Sequence, residues 1–338
     1  MSSMQPAPLT SGQIAQDARW LAQALDLAAH TVRLVAMSRD SYRAASFLDD
    51  RLLQGVDTQI VPWPKAEAAI SGDLRIDARW VFHIGHVGST LVSRLLGEID
   101  GVLAIREPRL LRDLAVAPAD VRNRYLASIP KLMSRTFAVH EIACVKATSF
   151  ASELAPDLVP PGQRALFMYV SPRNYIASIL AGENSLKELL QLADFRARRL
   201  ERRGSVFPPA GSLAEHAAAA WAAEMTTLEA AADAMADRQV EWADFDLMLP
   251  NMARSLEQIA ASFGFPADTG TLAEIAHGPL IRRYSKALEY EYSPGLRNAL
   301  IEQELRLQGR EIHAALAMLQ TASEKSPLLA RALKRAEG

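Results

Sequence analysis

Three features that mark common classes of protein are scarce in this sequence. Of its 338 residues only Cys144 is a cysteine, which excludes an intramolecular disulfide and gives no sign of an oxidising compartment. No apolar run approaches the roughly 20 residues of a membrane-spanning helix, and residues 1–12 lack the pattern of a signal peptide. The 37 basic and 39 acidic residues leave a net charge of −2, which disfavours nucleic acid and acidic membranes as partners. We therefore expect a cytoplasmic protein.

What the sequence does contain is an alternation of apolar runs and helical patterns. With 49% hydrophobic and 22% charged residues, the chain has the size and composition of a large α/β domain. Five short runs predict strands, at residues 80–84, 101–106, 142–147, 165–170 and 238–243. Such runs separated by helices are typical of a buried parallel sheet, in which ligands bind at the carboxyl ends of the strands. Cys144 lies in the third run and is expected to be an inert core residue.

The segments around these runs are expected to be helical. Apolar residues at helical spacing predict a helix within residues 12–38 and a second over 40–53, and the proline-containing stretch 61–64 is expected to break regular structure. We therefore predict a helical N-terminal extension, residues 1–78, packed on a main α/β domain, residues 79–338. Further helices are predicted over 186–203, 213–236, 251–263 and about 296–335, which makes the C-terminal region helical.

The turn after the first predicted strand carries the strongest functional signal. It reads Gly85-His86-Val87-Gly88-Ser89-Thr90 and leads into a predicted helix. The turn amides and the first amides of such a helix lack backbone partners, and together with the helix dipole they favour a phosphate or sulfate oxyanion. The nucleoside-triphosphate P-loop ends in Gly-Lys-Ser/Thr, whereas here Ser89 follows Gly88 directly. The alternative is a tight turn in which Ser89 or Thr90 only caps the helix.

Four segments, taken in their order and spacing, resemble the sulfotransferase family and in particular its divergent bacterial members. The first is the turn with residues 91–96, which looks like the family's 5'-phosphosulfate loop, and the second is Arg106-Glu107-Pro108. Residues 170–178 are similar to the family's 3'-phosphate segment, and residues 240–266 resemble its late strand and helix. The resemblance runs from about residue 80 to residue 292, and it implies a P-loop-NTPase-like parallel sheet flanked by helices.

The resemblance also implies a reaction and a set of site residues. The implied donor is 3'-phosphoadenosine 5'-phosphosulfate, the acceptor is a hydroxyl or amine of a small or glycan-like molecule, and no metal is needed. The six turn residues would hold the 5'-phosphosulfate. The implied 3'-phosphate contacts are Arg173 and Ser178, with Arg282 and Arg283 from a later cluster that continues to Lys286. The implied catalytic residues are His86 at the leaving phosphate, Glu107 as general base and Lys146 near the reacting groups.

Two departures from the family pattern leave other functions open. His86 stands where the family has lysine or arginine, and Val170 stands where it has the first arginine of the 3'-phosphate segment. One alternative is a nucleotide- or anion-binding protein of the same fold without turnover. Another is a P-loop phosphotransferase, against which the missing lysine and the missing magnesium aspartate count.

Three groups of polar residues also have structural interpretations. His83 lies within a predicted strand and is expected to be a core histidine with satisfied hydrogen bonds. Glu107 would, in the alternative to a general base, be a helix-terminal carboxylate that pairs with Arg106. The arginines within residues 196–203 are expected to form a solvated helix face, with a lid over an anionic acceptor as the alternative.

Overall fold

The computed structural model describes residues 8–53, 55–205, 207–283 and 294–337. Its strands are β1 (Trp20–Asp26), β2 (Thr31–Ala36), β3 (Thr58–Pro62), β4 (Arg79–His83), β5 (Val102–Arg106), β6 (Ile142–Lys146), β7 (Arg164–Tyr169) and β8 (Gln239–Asp244). Its first nine helices are α1 (Ser11–Gln16), α2 (Arg39–Ala44), α3 (Trp63–Ala69), α4 (Ser89–Leu96), α5 (Arg109–Val116), α6 (Ala119–Leu126), α7 (Ile129–Met133), α8 (Ala155–Leu158) and α9 (Pro172–Leu180). The later helices are α10 (Glu183–Gln191), α11 (Ala193–Arg202), α12 (Leu213–Ala234), α13 (Phe245–Met248), α14 (Met252–Phe263), α15 (Thr269–His277), α16 (Pro294–Leu307), α17 (Gly309–Ser323) and α18 (Pro327–Ala336).

The five strands predicted after residue 79 form one parallel sheet in the order β5-β6-β4-β7-β8. Helices flank the sheet, and Trp80, Val81 and Phe82 of the central strand are completely buried. From β4 the chain first moves past β6 to the edge strand β5, then returns across β4 to β7 and β8. The direction of winding therefore reverses beside β4, which makes its carboxyl end the topological switch point where such sheets bind ligands. The predicted parallel α/β fold is confirmed.

The prediction of a helix within residues 12–38 is wrong beyond α1. β1 and β2 form an antiparallel hairpin, and β3 pairs with the other edge of β2. Five consecutive residues of β1 are buried, and four of them are apolar. A run of that kind fits a strand as well as it fits a helix. The turn decides between them, because the Asp26 carboxylate accepts hydrogen bonds from two following amides at 3.1 and 2.8 Å and His30 adopts a left-handed backbone with a φ of 55°.

The predicted helix over residues 40–53 is wrong for most of its length. α2 covers only the first five residues of that range, and a single 3₁₀ turn forms at Asp50–Leu53. The buried side chains of Arg94 and Arg106, which belong to the parallel-sheet region, donate hydrogen bonds to the last carbonyls of α2 and to that of Ala45. These carbonyls are satisfied by side chains from outside the segment, so the chain leaves the helix there.

The predicted break at residues 61–64 is a junction between two regular elements. β3 ends at Pro62 and α3 begins at Trp63, and proline suits both the end of an edge strand and the first turn of a helix. The prediction of a helical N-terminal extension is therefore wrong for residues 20–62, because they contain a three-stranded sheet. The division of the chain at residue 78 stays a prediction.

The helices predicted in the second half of the chain are present, except that the one predicted over 186–203 is two helices, α10 and α11, on either side of Leu192. α12 covers the predicted 213–236 up to Ala234, α14 ends before Gly264, and α16, α17 and α18 occupy the predicted tail. α12 packs against α9, α11, α17 and α18, and its Trp221 is fully buried with the indole N–H donating to the Val170 carbonyl at 3.0 Å. No helix in the described ranges has the length and apolar character that a membrane span requires.

Candidate functional site

The turn between β4 and α4 has an uncommon backbone conformation. Gly85, His86 and Gly88 all adopt left-handed conformations, with φ values of 82°, 55° and 63°. Gly88 occupies the N-cap position of α4 and forms no side-chain cap, so the alternative in which Ser89 or Thr90 serves as the N-cap is wrong. A Cβ atom at Gly88 would lie 2.0 Å from the ring of Phe245. Non-glycine residues with positive φ are uncommon and cluster at functional sites, and His86 is one of them.

His83 holds this loop in place through both nitrogens of its ring. Its Nδ1 accepts a hydrogen bond from the Gly85 amide at 3.0 Å, and its Nε2 lies 3.0 Å from the Ala147 carbonyl. This pattern requires a proton on Nε2 and none on Nδ1, which is a neutral imidazole. The side chain is buried, as expected for a core histidine. His83 therefore ties the first residue of the loop to the chain that follows β6.

A buried ion pair lies beside the loop. Lys146, at the end of β6, is 1% exposed, and its ammonium donates to the carboxylate of Glu107 at the end of β5. Glu107 has a left-handed backbone with a φ of 51°, and its amide donates to the Lys146 carbonyl at 2.8 Å. Its Oε1 is 3.8 Å from Nε2 of His83. The alternative that pairs Glu107 with Arg106 is wrong, because the Arg106 guanidinium is turned to the carbonyls at the end of α2.

The loop and the ion pair open into one cavity of about 600 Å³, which is within the range of small-molecule sites. The loop contributes Gly85, His86, Ser89 and Thr90, and the ends of β4, β5 and β6 contribute His83, Glu107, Lys146, Thr148 and Ser149. The chain after α2 contributes Phe47, Asp49 and Arg51, α5 contributes Arg112, and the turn after β6 contributes Phe150. The last wall is α10 with the residue that follows it, and its members are Asn184, Ser185, Lys187, Glu188, Gln191 and Leu192.

The structure brings only part of the predicted site residues to this cavity. Val87 is fully buried and Gly88 packs on Phe245, so these two loop residues do not line the cavity. The predicted 3'-phosphate contacts lie outside the cavity lining: Arg173 is exposed in the first turn of α9, Ser178 is half-buried on the same helix, and Arg282 and Arg283 are exposed. The turn Pro279–Arg282 packs against α4, and Lys286 lies outside the described residues.

Topology separates these two groups of residues. The cavity lies on the β6 side of the central strand β4, whereas Arg173 follows β7, the neighbour of β4 on the other side. The loop at the end of β4 lies between them.

Two further expectations have clear outcomes. Val170 is fully buried at the end of β7, so the side chain at this position belongs to the core and not to a ligand site. The arginines of residues 196–203 do not all form a solvated face: Arg196 and Arg199 are buried. They pair with carboxylates, Arg196 with Glu224 at 3.0 Å and Arg199 with Glu153 at 3.1 Å, because α11 packs against α12.

The N-terminal wall of the cavity could not be predicted from the sequence. Arg51 holds Asp49 through two side-chain nitrogens, and Arg19 holds Asp17 in the same way away from the cavity. The Asp-x-Arg pattern therefore does not identify a site. Only the packing of the chain after α2 against β5 places one of the two pairs there.

No protein-family model and no curated protein matches this chain. Among the solved structures that resemble it are two sulfotransferases. A sulfotransferase domain from the curacin biosynthetic pathway is 11% identical over 68% of this chain and 91% of that domain, with a TM-score of 0.44. The mouse sulfotransferase SULT7A1 complexed with PAP is 12% identical over 78% of this chain and 90% of that protein, with a TM-score of 0.39. The fold and the site geometry described above stand without these distant similarities.

Proposed function

We propose that this protein is a sulfotransferase that moves a sulfuryl group from 3'-phosphoadenosine 5'-phosphosulfate to a hydroxyl or amine of a small or glycan-like acceptor. One observation carries the proposal. A lysine-free anion-binding loop with three left-handed residues opens onto a cavity in which a glutamate and a buried lysine are paired. The loop supplies oriented donors for an oxyanion, and the pair supplies a proton acceptor and a cation beside it.

In this proposal the donor and the acceptor approach the loop from opposite sides. The 5'-phosphosulfate binds at the loop amides and at the hydroxyls of Ser89 and Thr90. The nucleotide extends towards the β7 side, where Arg173 and Ser178 meet the 3'-phosphate, with Arg282 and Arg283 as further cations. The acceptor occupies the 600 Å³ cavity on the β6 side. The separation of the two groups of residues by β4 supports this arrangement.

The chemistry follows from the charges that change. An acceptor oxygen or nitrogen forms a bond to sulfur, the bond from sulfur to the 5'-phosphate oxygen breaks, and the acceptor proton moves to the Glu107 carboxylate. Negative charge grows on the departing phosphate, where fixed amides, His86 and the Lys146 ammonium stabilise it without reorganisation. A wall that holds the acceptor in line with sulfur removes part of the entropic barrier.

The test is transfer of radiolabelled sulfuryl from the donor to a panel of phenols, sugars and amines. Glu107→Gln is expected to reduce turnover by about 10²–10⁴-fold, while Glu274→Gln, an exposed carboxylate outside the cavity, leaves it unchanged. Binding of 3'-phosphoadenosine 5'-phosphate, measured in the same variants, shows that the site is still folded. Transfer that survives in Glu107→Gln would remove the general-base role.

His86 gives a second test of the same proposal. Asparagine tolerates the left-handed backbone that His86 adopts, so His86→Asn removes the imidazole with little change in loop geometry. We expect transfer to fall more than nucleotide binding, and His86→Lys to retain transfer. Equal losses of binding and transfer would make His86 a binding contact only.

A nucleotide-binding protein without turnover is the second candidate, because Val170 is a core residue at the position where the sulfotransferase family has the first arginine of its 3'-phosphate segment. Tight binding of 3'-phosphoadenosine 5'-phosphate, together with no transfer to any acceptor in the panel, favours this candidate.

A further inference from the structure

The wall of the cavity that faces the N-terminal sheet is firmly attached to the parallel sheet. The Leu48 amide donates to the Arg106 carbonyl at 2.8 Å, the Arg109 amide donates to the Leu48 carbonyl at 3.3 Å, and Arg106 Nε donates to the Ala45 carbonyl at 2.8 Å. These bonds fix residues 45–48 to the end of β5. The side chains that follow, up to Arg51, are therefore held at the cavity and do not belong to a free loop.

Two arginines on this side of the cavity are supported by aromatic rings. The Arg51 guanidinium lies 4.2 Å from the ring centroid of Phe47, and that of Arg112 lies 5.6 Å from the ring centroid of Phe150. All four residues line the same cavity. Both distances are within the reach of a cation–π contact, so part of the entropy of ordering these long side chains is lost before any ligand binds.

One carboxylate, Asp49, interacts with both of these cations. Burial raises the pKa of Asp49, but hydrogen bonds from Arg51 and the charges of Arg51 and Arg112 outweigh it, and the pKa is lowered overall. Arg51 is the direct partner of Asp49, and within the described parts of the chain no carboxylate lies within ion-pair distance of Arg112. Asp49 therefore acts on both guanidinium groups, and the charge of Glu107 acts on Arg51 as well, so the positive charge that is compensated least is that of Arg112.

The other charges of the cavity are balanced locally. Lys146 is paired with Glu107, and on the α10 wall Lys187 is paired with Glu183. The charge of Glu188, on the same wall, acts on the buried Arg196 and raises its pKa. The excess positive charge therefore lies at the wall of Arg51 and Arg112. Guanidinium groups match oxyanions through two parallel N–H donors.

We propose that Arg51 and Arg112 bind a carboxylate or phosphate group of the acceptor, so that the protein selects acidic hydroxy compounds over neutral ones. That this anion belongs to an acceptor rests on the proposed function, whereas the anion site itself does not depend on it. Arg112 is the primary contact, and Arg51 donates hydrogen bonds both to the anion and to Asp49.

The probes are matched pairs that differ only in charge, namely 4-hydroxyphenylacetate and 3-(4-hydroxyphenyl)propionate against their primary amides, with 4-hydroxyphenyl phosphate as a second oxyanion. Binding to the full chain is measured by calorimetry without any sulfuryl donor. We expect at least one carboxylate or the phosphate to bind about 10-fold tighter than the neutral analogue, and Arg112→Gln and Arg51→Gln to remove most of that preference.

Arg19→Gln is the matched control, because Arg19 pairs with Asp17 as Arg51 pairs with Asp49 but lies outside the cavity. It is expected to keep the preference. Equal binding of every charged and neutral pair in the wild type overturns the proposal, as does a preference that persists in both arginine variants. Because no donor is present, a preference found together with no sulfuryl transfer retains the anion site and rejects only the sulfotransferase function.

Discussion

Replacing Glu107 by glutamine removes the carboxylate that neutralises Lys146, whose side chain is 1% exposed. Breaking a buried ion pair from one side typically costs about 3–5 kcal/mol, because a charge is left without compensation. The Glu107 side chain is 21% exposed, so water enters from its side, and we expect a loss near the lower end, about 3 kcal/mol in the free energy of unfolding. A chain of this size would show a fall in Tm of roughly 4 °C.

The complementary variants make this a double-mutant cycle. Lys146→Met leaves Glu107, which can be hydrated from the cavity, and is expected to lose about 1–2 kcal/mol. The double variant has no buried charge and is expected to be at least as stable as Glu107→Gln, which gives a coupling energy of about 2 kcal/mol. Denaturant unfolding with linear extrapolation measures all four proteins.

A matched cycle on the exposed pair Glu183 and Lys187 serves as the control. Its side chains are 83% and 64% exposed, so its coupling is expected to be no more than about 0.5 kcal/mol. The reasoning is refuted if the losses at Glu107 and Lys146 simply add, or if the two cycles give the same coupling. Either result would mean that water solvates the Lys146 ammonium, so that its charge does not depend on Glu107.

Three further predictions concern the loop, the N-terminal attachment and the cysteine. Gly88→Ala is expected to lose about 2–4 kcal/mol of unfolding free energy, because its Cβ would lie 2.0 Å from the Phe245 ring and the backbone there is left-handed. Gly85→Ala has its nearest atom at 3.7 Å and is expected to lose only about 1 kcal/mol. Equal losses in the two variants would contradict the contact with Phe245. Arg106→Met leaves buried carbonyls without donors and is expected to lose about 2–4 kcal/mol in denaturant unfolding; a loss below about 1 kcal/mol would show that the N-terminal layer is held by other contacts. Burial raises the pKa of Cys144 to about 12, so iodoacetamide at pH 8 is expected to label the thiol only after denaturation. Rapid labelling of the native protein would contradict this burial. The stability that the neutral Cys144 thiol contributes is expected to be lost as pH rises from about 9 to about 12.

The parallel sheet could be predicted because its strands depend on local sequence. Each is a short apolar run bounded by residues that end a strand, and the five predicted runs agree with β4 to β8 within one or two residues. The loop after β4 could be predicted for the same reason. Its two glycines are adjacent to the strand end, and the structure places both in left-handed conformations.

The N-terminal sheet could not be predicted because its strands depend on distant partners. The apolar residues of β1 fit a helix as well as a strand, and only pairing with β2, and of β2 with residues 58–62, selects the strand. The cavity wall at Arg51 has the same origin. It exists because Arg94 and Arg106, about 50 to 60 residues later in the chain, bind the carbonyls at the end of α2.

The central claim is that the loop at Gly85–Thr90 binds an adenosine 3',5'-bisphosphate, and a ligand-induced change in the free energy of unfolding tests it most directly. At about 100 times its dissociation constant, 3'-phosphoadenosine 5'-phosphate is expected to stabilise the protein by roughly 2.7 kcal/mol. ADP, which lacks the 3'-phosphate, is expected to stabilise it less at the same concentration, and Arg173→Gln is expected to reduce the difference between the two. Stabilisation by ATP with magnesium and none by 3'-phosphoadenosine 5'-phosphate would contradict the account.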